Sequence, residues 1–301
     1  MQYTTTVAIA LLLLACSAPS DSAVADTAPR WNDPTTDDDW SALVPETETA
    51  PRWSAAEVGA EVDRALSHGL PGPERPLATY RELLTYGDAS CPTAATANGF
   101  AVFGVCTAAS GYSYSGVADL IVDDRRVEGP DGARSGMLYV STAPADYFII
   151  RPDGTRLGAG GTLTLNVSQD ASGLHTRSTL QGTWLDDGES SWLSQGFSGA
   201  LGLTRNVSPE GEARLDIDGA LTVGGASLVF TQVQVTPTAC PTGVRSGAIS
   251  VRQPDASWYT LTFPIGCGAC GTVTWQDGSI HGEACIDAVP LLAAVTVEVP
   301  L

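Results

Sequence analysis

The stretch LTLNVSQDASG, residues 163–173, is the clearest sign of the fold. Its apolar residues Leu163, Leu165 and Val167 alternate with Thr and Asn, and this period of two is the one that side chains follow along a β-strand. The run ends in Asp170-Ala171-Ser172-Gly173, a group of residues typical of a tight turn. A strand followed by a hairpin turn is therefore the unit to look for elsewhere in the chain.

The same unit recurs from about Phe100 onward. Three sets of residues are each predicted to share one strand face: Val229, Val233 and Val235; Tyr259, Leu261 and Phe263; Val295, Val297 and Val299. Turn signals such as Pro209-Glu210-Gly211 and Asp277-Gly278 separate them, and such short turns join antiparallel neighbours. We therefore expect a mainly β fold of roughly a dozen strands. They form an antiparallel up-and-down meander that curls into a barrel or sandwich, because open sheets beyond about ten strands curl or split.

Two short helices are predicted before the strands. In the first, Ser54 and Glu57 form a capping box, and an apolar residue recurs at helical spacing up to Gly69. The second runs from about Pro76 to Gly87. Both helices carry an apolar stripe that needs a partner, so we expect them to pack on the β domain. The residues of the two stripes are Val58, Val62, Ala65 and Leu66, then Leu77, Tyr80, Leu83 and Leu84.

The N-terminal segment reads as an export signal. Residues 7–14 form an apolar run too short to span a bilayer, which needs roughly 20 residues, but long enough for the core of a signal peptide. The run ends in Leu13-Leu14-Ala15-Cys16, which resembles the lipobox of bacterial lipoproteins. That resemblance implies cleavage after Ala15 and lipidation of Cys16. Because Ser17 rather than Asp follows, it also implies passage to the outer membrane. An ordinary secretory signal is the alternative.

A tether is predicted between the lipid and the folded body. Residues 16–53 are rich in Ser, Thr, Pro, Ala and acids, a composition that cannot bury enough apolar surface to fold. The sequence DTAPRW, residues 26–31, recurs there as ETAPRW, residues 48–53. Because Trp and Arg often anchor interfaces, these copies form a candidate partner motif, made of Arg30, Trp31, Arg52 and Trp53. We favour the alternative in which the tryptophans pack against the protein's own body.

Six cysteines remain after Cys16, an even number that fits three disulfides in an exported protein. Cys91 and Cys106 lie apart from the others and are predicted to pair. If Asp277-Gly278 is a two-residue turn, the register places Cys270 opposite Cys285, and Cys240 is left with Cys267. The alternative is a zinc site built from Cys240, Cys267, Cys270 and Cys285, since Cys267 and Cys270 have the spacing of a zinc knuckle.

The start of the β domain resembles uncharacterised exported lipoproteins. The resemblance lies in Gly87-Asp88-Ala89-Ser90-Cys91-Pro92, in Cys106 and in Ser110-Gly111-Tyr112. It implies a role in the cell envelope without catalysis. The resulting organisation is a signal peptide over residues 1–15, a lipidated Cys and acidic tether over 16–53, a helical pair over 54–87 and a disulfide-bridged β domain over 88–301.

The charge of the chain disfavours nucleic acid as a partner. The 301 residues carry 34 acidic groups against 15 basic ones, a net charge of −19, and every basic residue is an arginine. There is no basic patch in the sequence with which to neutralise phosphates. Three histidines are present, and none falls in a recognised catalytic motif.

The best candidate pair for acid–base chemistry is His281 with Glu283. On the register of the Asp277-Gly278 turn, Thr274 faces His281 and Thr272 faces Glu283, so cross-strand pairing on a solvated face is the ordinary interpretation. We therefore predict a non-enzymatic lipoprotein of the cell envelope, a binding or structural module at the outer membrane, periplasmic or surface-facing. Its expected partners are the membrane, through the lipid, and an envelope protein, a glycan or an apolar ligand. No cofactor or metal is expected, and the alternative is an exported hydrolase with a site near His281 and Glu283.

Overall fold

The computed structural model describes most of the region predicted to be folded. The described residues are 51–67, 69–70, 82, 85–91, 95–96, 99–129, 133–143, 148–186, 197–223, 225–252 and 257–295. The predicted signal peptide, Cys16, Arg30 and Trp31 lie outside them. Most of the second predicted helix does too, although its described residues Glu82, Thr85 and Tyr86 are helical.

In the described part of the chain, fourteen β-strands form one antiparallel sheet, which confirms the predicted fold class. The chain order is also the spatial order for nearly all of them, as expected for an up-and-down meander. The strands are β1 (Ala95–Thr96), β2 (Gly99–Thr107), β3 (Ser113–Glu128), β4 (Arg134–Ala143), β5 (Phe148–Ile150), β6 (Arg156–Asp170), β7 (Gly173–Asp186), β8 (Phe197–Val207), β9 (Ala213–Val223), β10 (Ala226–Val235), β11 (Ser246–Arg252), β12 (Tyr259–Phe263), β13 (Cys270–Trp275) and β14 (Ile280–Cys285).

The meander departs from a simple order in one place and does not close. Strand β5 continues the line of β4 and pairs with both β3 and β6, which otherwise flank β4. At the far edge, β14 pairs with β13 and, among the described residues, with no strand from the start of the sheet. The sheet is therefore open, and the barrel that the strand count suggested is not formed.

Helix α1 (Ala55–Leu66) covers one face of the later strands. It begins with the predicted capping box, in which Ser54 and Glu57 satisfy each other's backbone amides. Its apolar stripe, Val58, Val62, Ala65 and Leu66, is buried in the same core as the inward residues of β9 to β13. Gly59 allows the close approach of helix and sheet, because a Cβ there would lie 2.8 Å from the carbonyl oxygen of Cys285. The predicted packing of this helix on the β domain is confirmed.

Helix α2 (Val289–Val295) lies just before the predicted last strand and includes its first residue. Val295 ends this helix, and Val297 and Val299 lie outside the described residues. The Asp287 carboxylate accepts a hydrogen bond from the amide of Val289, and Pro290 falls in the first turn, where proline is tolerated. The alternation of valines was a weak signal, because the residues just before it, Leu-Leu-Ala-Ala, favour a helix.

A bulge in β10 overturns a second prediction. Val233 and Val235 are buried as expected, but Val229 lies on the opposite face and Phe230 is buried in its place. The pairing with both neighbouring strands shifts between Thr231 and Gln234, and Gln232 has a φ of 49°. One extra residue reverses the alternation of a strand, so residues before and after it exchange faces.

Three disulfides tie the fold together, and their pairing is the one predicted. They join Cys91 to Cys106, Cys240 to Cys267 and Cys270 to Cys285. The last two use all four cysteines of the alternative zinc site, so no thiolate is left to hold a metal. Disulfides indicate an oxidising environment outside the cytoplasm. None of the helices that the structure describes has the length and apolar character needed to cross a lipid bilayer.

An ion-pair network connects the second predicted helix to the sheet. The Arg151 guanidinium, just after β5, donates two hydrogen bonds to Glu82 and two to Asp186 at the end of β7, at 2.6–3.0 Å. These bonds, those to Asp186 first, raise the pKa of Arg151 above its usual range. Since the single cation is matched by two carboxylates that it bridges, we interpret the network as structural.

Candidate functional site

The predicted positions of His281 and Glu283 assumed a two-residue turn at Asp277-Gly278, and the observed turn has a different form. The amide of Trp275 donates to the carbonyl of Ser279, and the amide of Gly278 donates to Trp275. The loop therefore contains three residues rather than two, with Gly278 at a φ of 82°, a left-handed position that favours glycine. Pairs next to the turn are shifted by one residue from the predicted register.

An extra residue in β14 cancels that shift and changes the position of His281 from the predicted one. Thr274 pairs with Ile280, whereas Val273 pairs with Gly282, so His281 is an extra residue in β14. The predicted pair Thr272 with Glu283 and the opposition of Cys270 and Cys285 are confirmed. The predicted pair of Thr274 with His281 is wrong. The two chain irregularities cancel, and for this reason the disulfide was predicted correctly from an incorrect turn.

His281 consequently contacts the apolar side of the sheet. Its ring meets the buried ring of Tyr259 edge-on, with the centroids 6.3 Å apart. Glu283 is exposed and pairs with Thr272 on the other face. The structure does not bring His281 and Glu283 together into an acid–base pair.

The second copy of the Thr-Ala-Pro-Arg-Trp sequence packs on the same tyrosine. The Trp53 ring stacks on Tyr259 with centroids 5.1 Å apart. The amides of Arg52 and Trp53 donate to the Tyr259 hydroxyl at 2.7 and 3.0 Å. For Trp53, this is the packing against the protein's own body that the sequence analysis favoured. The first copy, with Arg30 and Trp31, lies outside the described residues.

A row of directly opposed residues crosses six strands on the other, outward face of the sheet. Each residue pairs with the next through the registers of β3, β4, β6, β7, β8 and β9. We call it the histidine row; it consists of Val127, Ser135, Ser168, His175, Asn206 and Arg214. With strands about 4.8 Å apart, the five spacings give the row a length of about 24 Å.

His175 lies at the centre of this row and is hydrogen-bonded through one ring nitrogen. Nδ1 lies 2.7 Å from Oδ1 of Asn206, and Nε2 lies 2.9 Å from Oγ of Ser172 in the β6–β7 turn. Because an amide oxygen only accepts hydrogen bonds, we assign the ring proton to Nδ1. The Asp170 carboxylate accepts both the amide and the hydroxyl of Ser172, and the hydroxyl bond lowers the pKa of Asp170.

The order Ser172, His175, Asn206 has the distances of a nucleophile, a base and an orienting group. A serine nucleophile must pass its proton to the imidazole. Here the shorter hydrogen bond of the hydroxyl, 2.5 Å, goes to Asp170 instead, and Ser172 sits in an exposed turn. The arrangement is therefore suited to holding the ring of His175 in place rather than to acyl transfer.

Two grooves meet at His175. The Arg177 groove, about 440 Å³, extends toward β3, and the Arg245 groove, about 330 Å³, extends toward β10. Side chains on the outward face of the sheet line the first: Val127, Ser135, Asn166, Ser168, His175 and Arg177. The second is lined by side chains from the same face and from the loops beside it, including Ser172, His175, Asn206, Glu212, Arg214, Gln234 and Arg245. The two grooves share His175 and follow the histidine row, and their surface combines these polar side chains with a larger apolar area.

This surface concentrates arginines on a strongly acidic protein. The grooves are lined by three arginines and one glutamate, and the carboxylate of Asp216 lies against one of the arginines, in a protein of net charge −19. Arg214 is held by Asp216 through bonds of 2.8–3.0 Å, and Gln234 donates to the same carboxylate at 3.1 Å. Among the described residues, Arg177 and Arg245 have no carboxylate partner.

One part of this surface could be predicted from the sequence. If Ala171-Ser172 is a two-residue turn, Asp170 faces Gly173 and Ser168 faces His175, and the structure has this register. The other members come from separate hairpins, so spacing along the chain does not connect them. No three His, Cys, Asp or Glu side chains in the described part of the chain gather in a way that holds a metal ion.

The site and fold define an open, disulfide-bridged β-sheet with a polar outward face. Comparison of the chain with protein-family models, with curated proteins and with solved structures finds no match. The function therefore has to be argued from the residues themselves.

Proposed function

We propose that the protein is a lipid-anchored module of the cell envelope that binds an extended polar ligand along the histidine row, without catalysing a reaction. The observation that carries this proposal is the row itself, with two grooves that meet at His175. A length of about 24 Å suits a chain-like ligand better than a small metabolite. Of the partner classes expected from the sequence, a glycan is favoured, because Asn, His and Arg side chains that can pair with hydroxyl groups lie along grooves whose remaining surface is mainly apolar.

The envelope location is supported by separate observations. The disulfides indicate an oxidising compartment. The sequence Leu13-Leu14-Ala15-Cys16 favours a lipid anchor on Cys16 and, with Ser17, the outer membrane. The test is Cys16→Ser, which should move the protein out of the membrane fraction, because stable anchoring needs the acyl chains. Unchanged membrane association of this variant would remove the anchor from the proposal.

The binding function is tested on an array of oligosaccharides. Wild-type protein should bind at least one of them, and the variant His175→Ala/Asn206→Ala should bind none. The control is Thr260→Ala/Thr274→Ala, which removes two hydroxyls from the same face on β12 and β13 and should bind as wild type does. An array on which no oligosaccharide is bound, or is bound equally by the groove variant, overturns the proposal.

The alternative, a hydrolase near His281 and Glu283, has less support, because these residues lie on different faces of the sheet. The variant His281→Ala/Glu283→Ala is therefore expected to keep oligosaccharide binding intact. Loss of the biological activity in this variant, with an unchanged circular dichroism spectrum, would favour the hydrolase instead.

A further inference from the structure

We propose that the ligand of the two grooves is an acidic oligosaccharide, whose carboxylates pair with Arg177 and Arg245. This inference rests on the proposed function and specifies the chemistry of its ligand. The carrying observation is that two exposed arginines, which have no carboxylate partner among the described residues, line these grooves on a strongly acidic protein. Guanidinium groups bind carboxylates through paired, charge-assisted hydrogen bonds.

The positions of the two arginines determine the size of the ligand. Arg177 belongs to a row that runs through Thr204, Asp216 and Gln234 to Ser246, and Arg245 precedes Ser246 in the chain. The two residues are therefore four strand spacings apart, about 19 Å. A monosaccharide cannot contact both, whereas a chain of several sugar units can.

The residues between and beside the arginines can pair with the hydroxyl groups of a sugar chain. Asn206 and Gln234 lie between them, together with the Arg214–Asp216 ion pair, and Asn166 and Ser168 lie on β6 beside Arg177 and His175. His175 stands between the grooves, with its ring orientation set by the hydrogen bond between Nδ1 and Asn206. A ring held in one orientation loses little freedom on binding, which favours affinity.

The charge of the protein argues for widely spaced carboxylates rather than a dense polyanion. With a net charge of −19, the chain repels nucleic acids and heavily sulfated glycans over several ångströms. Two unpaired arginines are too few to offset that repulsion for a ligand with several charges at each position. A carboxylate on each sugar unit gives each arginine one partner at low total charge.

The experiment is isothermal titration of the detergent-solubilised full-length protein with tetragalacturonate and with galactotetraose, its neutral counterpart. We expect the acidic tetramer to bind and the neutral one to bind at least about tenfold more weakly. Arg177→Gln and Arg245→Gln should each weaken tetragalacturonate binding about tenfold or more, and the double variant should remove the preference for the acidic tetramer. The control is Arg156→Gln, which removes the same charge at the start of β6, outside both grooves. This variant should bind as wild type does.

The salt dependence of binding tests the pairing of the ligand carboxylates with Arg177 and Arg245 independently. Raising NaCl from about 50 mM to about 500 mM should weaken tetragalacturonate binding by wild type and leave the residual binding of the double variant unchanged. Equal binding of both tetramers, abolished by His175→Ala/Asn206→Ala, overturns the acidic ligand and keeps the proposed function. If neither tetramer binds but the array identifies another oligosaccharide, the acidic ligand is likewise overturned and the proposed function is kept. Tighter binding to a DNA oligonucleotide than to tetragalacturonate also overturns this inference.

Discussion

Two hairpins of this sheet carry a histidine shortly after an Asp-x-Ser turn, and the two histidines have opposite surroundings. In β6–β7, the turn Asp170-Ala171-Ser172 leads to His175, which keeps a regular register and lies on the polar face between two grooves. In β13–β14, the turn Asp277-Gly278-Ser279 leads to His281, which is an extra residue in its strand and contacts Tyr259. The two turns share the Asp-x-Ser sequence but differ in form. The β6–β7 loop has two residues and the β13–β14 loop has three, and His281 is in addition an extra residue in β14.

The comparison shows that a bulge can decide whether a side chain is available for binding. A strand alternates strictly between its two faces, and one extra residue redirects the side chain at that point. His281 thereby contacts Tyr259, the tyrosine on which Trp53 stacks. His175 stays open to a ligand. Variants at these positions separate the packing role from the binding role.

The largest expected effect is on the packing side, for Tyr259→Ala. The ring is almost fully buried, and its hydroxyl accepts two backbone amides. Removal of a large buried aromatic side chain lowers the free energy of unfolding by about 3–5 kcal/mol. Urea denaturation gives this value, and Tyr259→Phe should lose less, about 1–3 kcal/mol, since only the hydroxyl is gone. A loss below about 1 kcal/mol for the alanine variant would contradict the packing role.

The second prediction concerns the three-residue turn of β13–β14. Gly278→Ala forces a side chain into the left-handed region and should lower the free energy of unfolding by about 1–2 kcal/mol. A Cβ there meets no heavy atom within 4 Å, so the loss comes from the backbone alone. Gly278→Asn is the control and should lose less, because asparagine tolerates this conformation. Equal losses for both variants would mean that the turn is not of this form.

The third prediction compares the histidines directly. His281→Ala should lower the free energy of unfolding by about 0.5–1.5 kcal/mol, the range for an edge-to-face aromatic contact, and leave tetragalacturonate binding unchanged. His175→Ala should change stability by less than about 0.5 kcal/mol and remove binding. Urea denaturation and titration calorimetry on the same two preparations measure both effects. An exchange of these outcomes would reverse the assignment of roles.

The smallest effects on stability are expected at acidic pH, from the carboxylates of the two turns. Hydrogen bonds from Ser172 and Ser279 lower the pKa of Asp170 and of Asp277. A lowered pKa in the folded state means that the stabilisation is present above the ordinary value, near 3.9, and is lost as the pH falls through the lowered value. Carboxyl-carbon NMR should show each pKa rising in Ser172→Ala and Ser279→Ala respectively, and urea midpoints should depend less on pH below about 4. Unchanged pKa values would contradict the hydrogen bonds.

Much of the fold follows from local patterns in the sequence. The alternation at Leu163, Leu165 and Val167, the capping box of α1 and the turn signals depend on neighbouring residues alone, and the structure has them where they were predicted. The disulfide pairs follow from register and from an even number of cysteines. The organisation of the sheet as a meander is set by the short connections.

The errors fall at bulges and at contacts between distant strands. Both Val229 and Phe230 are apolar, so the pattern of β10 does not reveal which of them faces the core once Gln232 interrupts the alternation. In β14, nothing in the local sequence distinguishes a regular strand from one with an extra residue at His281. The histidine row joins six strands, and its geometry exists only after several registers have been combined.

The most direct measurement observes the imidazole side chains themselves. The chain has three histidines, and long-range ¹H–¹⁵N NMR spectra resolve their ring nitrogens, with His175→Gln and His281→Gln supplying the assignments. On addition of tetragalacturonate, the ring signals of His175 should shift in proportion to saturation, while those of His281, which contacts Tyr259, should not shift. A shift of the His281 signals with no change at His175 would contradict the account.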